Sequence, residues 1–70
     1  MEALITPAII HWALRRVRKT PEQVAQELSV TPDRFAAWAN GELRPTLRQA
    51  QELAKKLRIP FGYLYLSDPP

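Results

Sequence analysis

The sequence contains no cysteine, a single histidine and only two glycines. Without thiols it can form no disulfide, no cysteine zinc site and no thiolate nucleophile. His11 alone cannot assemble a metal site, and Gly41 and Gly62 are too far apart to make a glycine-rich phosphate loop. Apolar runs last only a few residues, far short of the roughly 20 that span a bilayer as a helix. Met1-Glu2 is not followed by a basic stretch and a long apolar one, so no secretory signal is expected and the cytoplasm is the expected location. The carboxylates Glu22, Glu27, Asp33, Glu42 and Glu52 are scattered, with no Ser/His/Asp or Cys/His grouping beside them. His11 therefore reads as an ordinary surface or half-buried side chain rather than a general base. No catalytic residue, metal or cofactor is expected, and the chain does not read as an enzyme.

What the sequence does have is punctuation and positive charge. Its 70 residues allow one small domain, and 46% hydrophobic with 24% charged residues describe a globular chain rather than a disordered one. Three Thr-Pro pairs occur, at Thr6-Pro7, Thr20-Pro21 and Thr31-Pro32. Threonine is a good helix N-cap, and proline suits the first helical position because its missing N–H would have no partner there. Thr20 with Gln23 and Thr46 with Gln49 also match the capping box, in which side chain and backbone at the two positions bond reciprocally. A weaker start falls at Ile59-Pro60. The stops are Arg18-Lys19, Ser29, Asn40-Gly41, the Lys55, Lys56, Arg58 group and Asp68-Pro69-Pro70. The spacing predicts five helices, near 7–18, 21–28, 32–40, 46–57 and 60–66.

Apolar residues recur at intervals of three and four within these segments, as amphipathic helices require. No segment alternates like a strand, so the expected fold is all-α, with a core of Ile10, Val17, Val24, Leu28, Phe35, Trp38, Leu47, Leu53, Leu57 and Leu64. The domain is expected over 1–66, with 67–70 as a tail or the start of a linker. The second and third helices are joined by about three residues around Ser29-Val30-Thr31, the layout of a helix-turn-helix that offers its second helix to the DNA major groove.

Residues 20–57, TPEQVAQELSVTPDRFAAWANGELRPTLRQAQELAKKL, resemble the Cro/cI-repressor (XRE-like) helix-turn-helix family. The resemblance rests on Thr20, Ala25, Ser29-Val30-Thr31, Gly41, Pro45 and Thr46. It implies a five-helix lambda-repressor-like domain, double-stranded DNA as partner and a role in transcription regulation. A closer resemblance is to the N-terminal domain of longer proteins that continue into an ImmA/IrrE-type zinc peptidase. It is carried by the Thr-Pro steps, Trp38-Ala39, Pro45-Thr46-Leu47 and the run from Phe61 to Pro70. The DNA-contacting positions implied are Lys19, Thr20, Thr31, Asp33, Arg34, Ala37, Asn40, Arg44 and Arg48.

The chain also departs from the family pattern. Pro21 stands where operator-binding members carry a phosphate-clamping glutamine. Leu14 and Ala39 stand where members carry an Arg–Glu pair, so both partners are missing together and no orphan charge is left to bury. The base-reading positions hold Pro32, Asp33, Ala36 and Ala37, none of them an Arg, Gln or Asn that bonds a base edge bidentately. Asp33 can accept from a cytosine amine, but its first reading is charge compensation at a helix N-terminus. The net charge of +3, ten Lys and Arg against seven Asp and Glu, favours an anionic partner only mildly. Lys55, Lys56 and Arg58 read first as a solvated helix end.

Two functions stay open on these residues. One is a DNA-binding module with thin sequence readout. The other is a helix-turn-helix fold that has lost operator recognition and serves docking or dimerisation. The second is suggested by Phe61, Tyr63, Tyr65 and Leu66, more apolar surface than one short helix can bury. A homodimer or an attached C-terminal domain would be contacted through Phe61, Tyr63 and Tyr65. Alternatively, Phe61 and Leu64 complete the core and the tyrosines lie half exposed with no partner at all.

Overall fold

The three Thr-Pro steps do open helices. In the computed structural model, which describes residues 1–70, Thr6, Thr20 and Thr31 are extended N-caps, and the prolines after them begin α1 (Pro7–Val17), α2 (Pro21–Glu27) and α3 (Pro32–Asn40). Thr46 caps α4 (Leu47–Leu57). Both capping boxes are complete: Gln23 N–H donates to Thr20 Oγ1 at 3.1 Å while Thr20 N–H donates to Gln23 Oε1 at 2.8 Å, and Thr46 with Gln49 repeats the same distances. Thr31 Oγ1 accepts from Arg34 N–H at 3.1 Å. Thr6 caps by backbone conformation alone, with no side-chain bond.

The four helices stop in one way. Each ends with an N–H reaching back five residues: Lys19 to Leu14, Val30 to Ala25, Glu42 to Ala37 and Ile59 to Ala54, at 3.3, 3.0, 2.9 and 3.1 Å. The residue before each of these donors is left-handed: Arg18 (φ 58°), Ser29 (58°), Gly41 (79°) and Arg58 (57°). This is the Schellman closure, which satisfies the last carbonyls. Only Gly41 adopts it without the Cβ clash that side-chain-bearing residues incur.

The expected fifth helix is corrected to a short 3₁₀ turn, Phe61–Tyr65. Its start is Pro60, which has no side chain to cap the free amides, and five residues are too few to propagate an α-helix. The chain therefore has four α-helices and one 3₁₀ turn, all-α and without strands. The N-terminus is not loose. Ala3 N–H donates to the Pro45 carbonyl at 2.8 Å, Leu47 N–H to the Met1 carbonyl at 2.9 Å, and Thr6 N–H to the Leu64 carbonyl at 2.7 Å. The first residues thus clip the entrance of α4 to the 3₁₀ turn.

The core gathers one face from every element. Ile10, Val24, Phe35, Trp38, Leu53, Leu57 and Leu64 are buried as the periodicity predicts. Three expected members differ. Leu47 is 37% exposed because it is the first residue of α4, beyond the edge of the packed layer. Val17 and Leu28 are half-buried at the ends of α1 and α2, packed against the core from its rim. Ala3, Ile9, Pro45 and Ile59 are buried in addition. Ala3 and Pro45 are brought in by their mutual backbone bond and Ile59 by the closure after α4, neither of which helical periodicity reports.

Leu14 and Ala39 are both buried in this core, where α1 packs on α3. One turn earlier on α1, His11 Nε2–H donates to the Ala39 carbonyl at 2.9 Å. Apolar burial and one side-chain-to-backbone bond thus hold the two helices where the family pattern has an ion pair. No buried polar side-chain atom lacks a partner.

Candidate nucleic-acid interface

The helix-turn-helix is built by the closure of α2 and the cap of α3. Leu28 ends α2, Ser29 turns left-handed, Val30 bonds back to Ala25 and Thr31 begins α3. Val24 and Ala25 of α2 are buried with Phe35 and Trp38 of α3, whose rings meet at 6.1 Å and 58°. With both ends locked, α3 can present only its other face. That face carries Asp33, Ala36 and Asn40, all exposed, with Ala37 half-buried at its margin and Arg34 exposed on the flank.

The expected contact residues divide into three groups. Arg34, Arg44 and Arg48 are exposed and have no carboxylate within 4.0 Å, since the chain's ion pairs are Lys19–Glu27 and Lys55–Glu52. Their guanidinium groups are free to meet phosphates. Thr20 and Thr31 use an oxygen lone pair in capping, which leaves each hydroxyl hydrogen available to a phosphate oxygen. Lys19 stands apart. Its ammonium bonds Glu27 at 2.9 Å and the Lys56 carbonyl at 3.4 Å, which draws it toward the C-terminal ends of α2 and α4. A phosphate would have to compete for it.

Asp33 lies in the first turn of α3, the place where a carboxylate offsets the helix dipole. The first turn of α4 is similarly occupied. Thr46 bonds Gln49, and the Leu47 N–H, which an anion would otherwise find free, is taken by the Met1 carbonyl. Arg48 is thus the main donor α4 offers at this end. It also borders a hollow of about 220 Å³ between the turn and α4, lined by Leu28, Ser29, Val30 and Trp38 on one side and by Arg48, Gln49 and Glu52 of α4 on the other.

Two features escaped the sequence reading. The Met1 carbonyl at α4 gives no residue-type signal, because any residue supplies a carbonyl. Trp12, beside Arg16 on α1, was legible as an i, i+4 pair but has no place in the helix-turn-helix pattern.

No helix is long and apolar enough to cross a membrane. No curated protein and no solved structure matches the chain. A family model described as helix-turn-helix, of the XRE type, matches residues 12–64, from the middle of α1 to the 3₁₀ turn. A helix-turn-helix of this kind is a DNA-binding element typical of transcriptional regulators. With its all-α fold, its short turn between α2 and α3 and a match over most of its length, the chain belongs to the XRE-type helix-turn-helix family.

Proposed function

We propose that this chain is the DNA-binding helix-turn-helix module of a cytoplasmic transcriptional regulator, or of a larger regulatory protein, and that it grips double-stranded DNA mainly through phosphates. The observation that carries this reading is the contrast between the exposed face of α3 and its surroundings. The face offers Asp33, Ala36 and Ala37, with Asn40 as its one amide. Arg34, Arg44 and Arg48 around it are unpaired cations. Base-edge contacts specify sequence and phosphate contacts only position the protein, so the arrangement favours affinity with little readout. Thr20 and Thr31 add backbone contacts, Lys19 does so only where a phosphate displaces Glu27, and Asn40 is the residue best suited to an adenine edge. The chain carries no catalytic role in this reading. The resemblance of its Thr-Pro steps and its Phe61-to-Pro70 run to the N-terminal domains of proteins that continue into an ImmA/IrrE-type peptidase supports a regulator of that kind as its setting.

The test is a salt titration of fluorescence anisotropy on two unrelated duplexes. With three free arginines as the main contacts, the log–log salt slope should lie near roughly −3, from about 0.9 per phosphate, and a single copy should bind at ~10⁻⁴–10⁻⁶ M in physiological salt. Arg34→Ala or Arg44→Ala should weaken both duplexes alike and flatten the slope by about one unit. Nanomolar binding of a monomer to one duplex alone would refute the phosphate-first reading. Absence of binding to either duplex at low salt would favour the docking alternative, which the exposed Tyr63, Tyr65 and Leu66 support.

A further inference from the structure

A second surface joins the C-terminal ends of α1 and α4 to the 3₁₀ turn. Arg16 lies with its guanidinium carbon 5.8 Å from the centre of the Trp12 ring. Trp12 in turn meets Tyr63 of the 3₁₀ turn at 6.4 Å and 40°. On its other side Arg16 donates to the Arg58 carbonyl at 3.4 Å. Arg16 and Arg58, with Val17 and Lys19, line an open hollow of about 480 Å³. Cations at one end thus run into aromatic surface at the other, where Tyr63 remains 37% exposed.

We propose that this strip is a docking surface for an acidic, leucine-bearing segment of a partner protein. Neither Arg16 nor Arg58 has a carboxylate of this chain within 4.0 Å, because the one acid that reaches the hollow's lining, Glu27, is held by Lys19. An acidic partner would supply the countercharge that this surface lacks. Arg16 spends one N–H on a long backbone bond and keeps the rest of its planar fork, which fits a carboxylate bidentately. Tyr63, set against Trp12 beside Arg16, then offers apolar contact within the same footprint, so the partner that fits carries both carboxylates and aliphatic side chains.

Other occupants fit less well. Single-stranded nucleic acid needs open aromatic faces on which bases stack, and Arg16 covers the Trp12 face while Tyr63 tilts against the same ring. A sugar-phosphate chain also has nothing aliphatic to place on Tyr63. A second copy docked through the same strip would bring no carboxylate to Arg16 and Arg58, because the strip itself carries none.

The probe is a fluorescein-labelled synthetic peptide of glutamate and leucine, titrated into the whole 70-residue chain with Trp12 indole and arginine side-chain signals followed by NMR. The expected result is that the peptide shifts Trp12, Arg16 and Arg58, and that a lysine-for-glutamate version does not bind. The charge-reversed pair Arg16→Glu, Arg58→Glu should weaken binding by about tenfold or more, as reversal of close complementary charges does. The neutral Arg16→Gln should give a smaller loss and guards against a fold defect, with the melting curve as control. Tyr63→Ser should weaken the peptide severalfold.

The proposal is overturned if the peptide leaves these signals unmoved. It is also overturned if an oligonucleotide displaces the peptide from Arg16 and Arg58, which assigns the strip to nucleic acid, or if the signals shift with protein concentration alone, which assigns it to a second copy. Duplex binding on the same samples is read at Arg34, Asn40 and Arg44, so failure of this inference and failure of the DNA reading give different results.

Discussion

Two short segments, Pro32–Asn40 and Phe61–Tyr65, both have a proline at their entrance and carry two and three aromatic residues respectively, yet only the first is an α-helix. The difference lies at their ends. Thr31 gives α3 a hydroxyl for the Arg34 N–H, and Gly41 closes it in a left-handed turn at φ 79°. The later segment has Pro60 before it and Leu66, in an extended conformation, after it. The packing differs accordingly. Phe35 and Trp38 are both buried. Of the apolar residues in the later segment, Leu64 is fully buried and Phe61 partly so, while the two tyrosines stay at the surface. The expectation that Phe61 and Leu64 would complete the core with the tyrosines half exposed matches this arrangement. A helix locked at both ends can hold a defined face toward DNA. The 3₁₀ turn instead leaves aromatic edges open next to the cations of α1 and α4.

The largest expected effects come from removing the anchor of each segment. Phe35→Ala should cost about 3–5 kcal/mol and Leu64→Ala about 2–5 kcal/mol, the range for emptying a buried aromatic or leucine site. So small a domain has a thin margin against either. Thermal and urea unfolding measure both, and a Leu64→Ala protein that melts like the parent would show that the 3₁₀ turn is not fastened to the core.

A step down in size, a single charge placed where α3 meets α1 should be costly without its partner. Ala39 is 7% exposed and Leu14 6% exposed, so Ala39→Glu buries an unpaired carboxylate and should destabilise by about 1–3 kcal/mol or more. Adding Leu14→Arg should recover much of that loss. A double-mutant cycle with no coupling energy would mean the two sites do not communicate across the α1–α3 contact.

The smallest and sharpest contrast uses the two glycines. Gly41 sits at φ 79°, and a Cβ there would stand 3.4 Å from Pro7 Cγ at the start of α1. Gly41→Ala should therefore cost about 1–2 kcal/mol, the usual charge for a side chain in left-handed geometry. A Cβ on Gly62 would meet nothing within 4 Å, and Gly62→Ala should be neutral or stabilise by up to about 1 kcal/mol by restricting the unfolded chain. Equal melting temperatures for the two variants would remove the argument that Gly41 stops α3 for a conformational reason.

Much of this molecule is legible in the chain because its signals are local. Thr20 with Gln23, Thr46 with Gln49, and each Thr-Pro step act within four residues, so capping chemistry alone sets where helices begin. Apolar intervals of three and four then choose the face that faces inward. The helix-turn-helix follows, since a short link closed by Val30 and Ala25 leaves α2 and α3 few ways to pack. The failures are equally physical. Leu47 has the right interval but sits at a helix end, and burial of an end residue depends on what lies beyond it. Ile59 carries no helical periodicity and is buried by the turn after α4.

At the candidate DNA face, the exposed arginines Arg34, Arg44 and Arg48 were legible by residue type and position. The diversion of Lys19 to Glu27 was not, since it joins residues on two sides of α2. The amino-acid sequence by itself determined the four α-helices, their order and the sparse polar chemistry of α3, because each depends on neighbours within a turn or two. The tertiary structure alone decided which cations are free, which carbonyl closes the entrance of α4, and that Trp12, Arg16, Arg58 and Tyr63 form one surface. Those outcomes depend on contacts between residues as many as 51 positions apart, as in Trp12 with Tyr63, and no local pattern encodes a distance set by how whole helices pack.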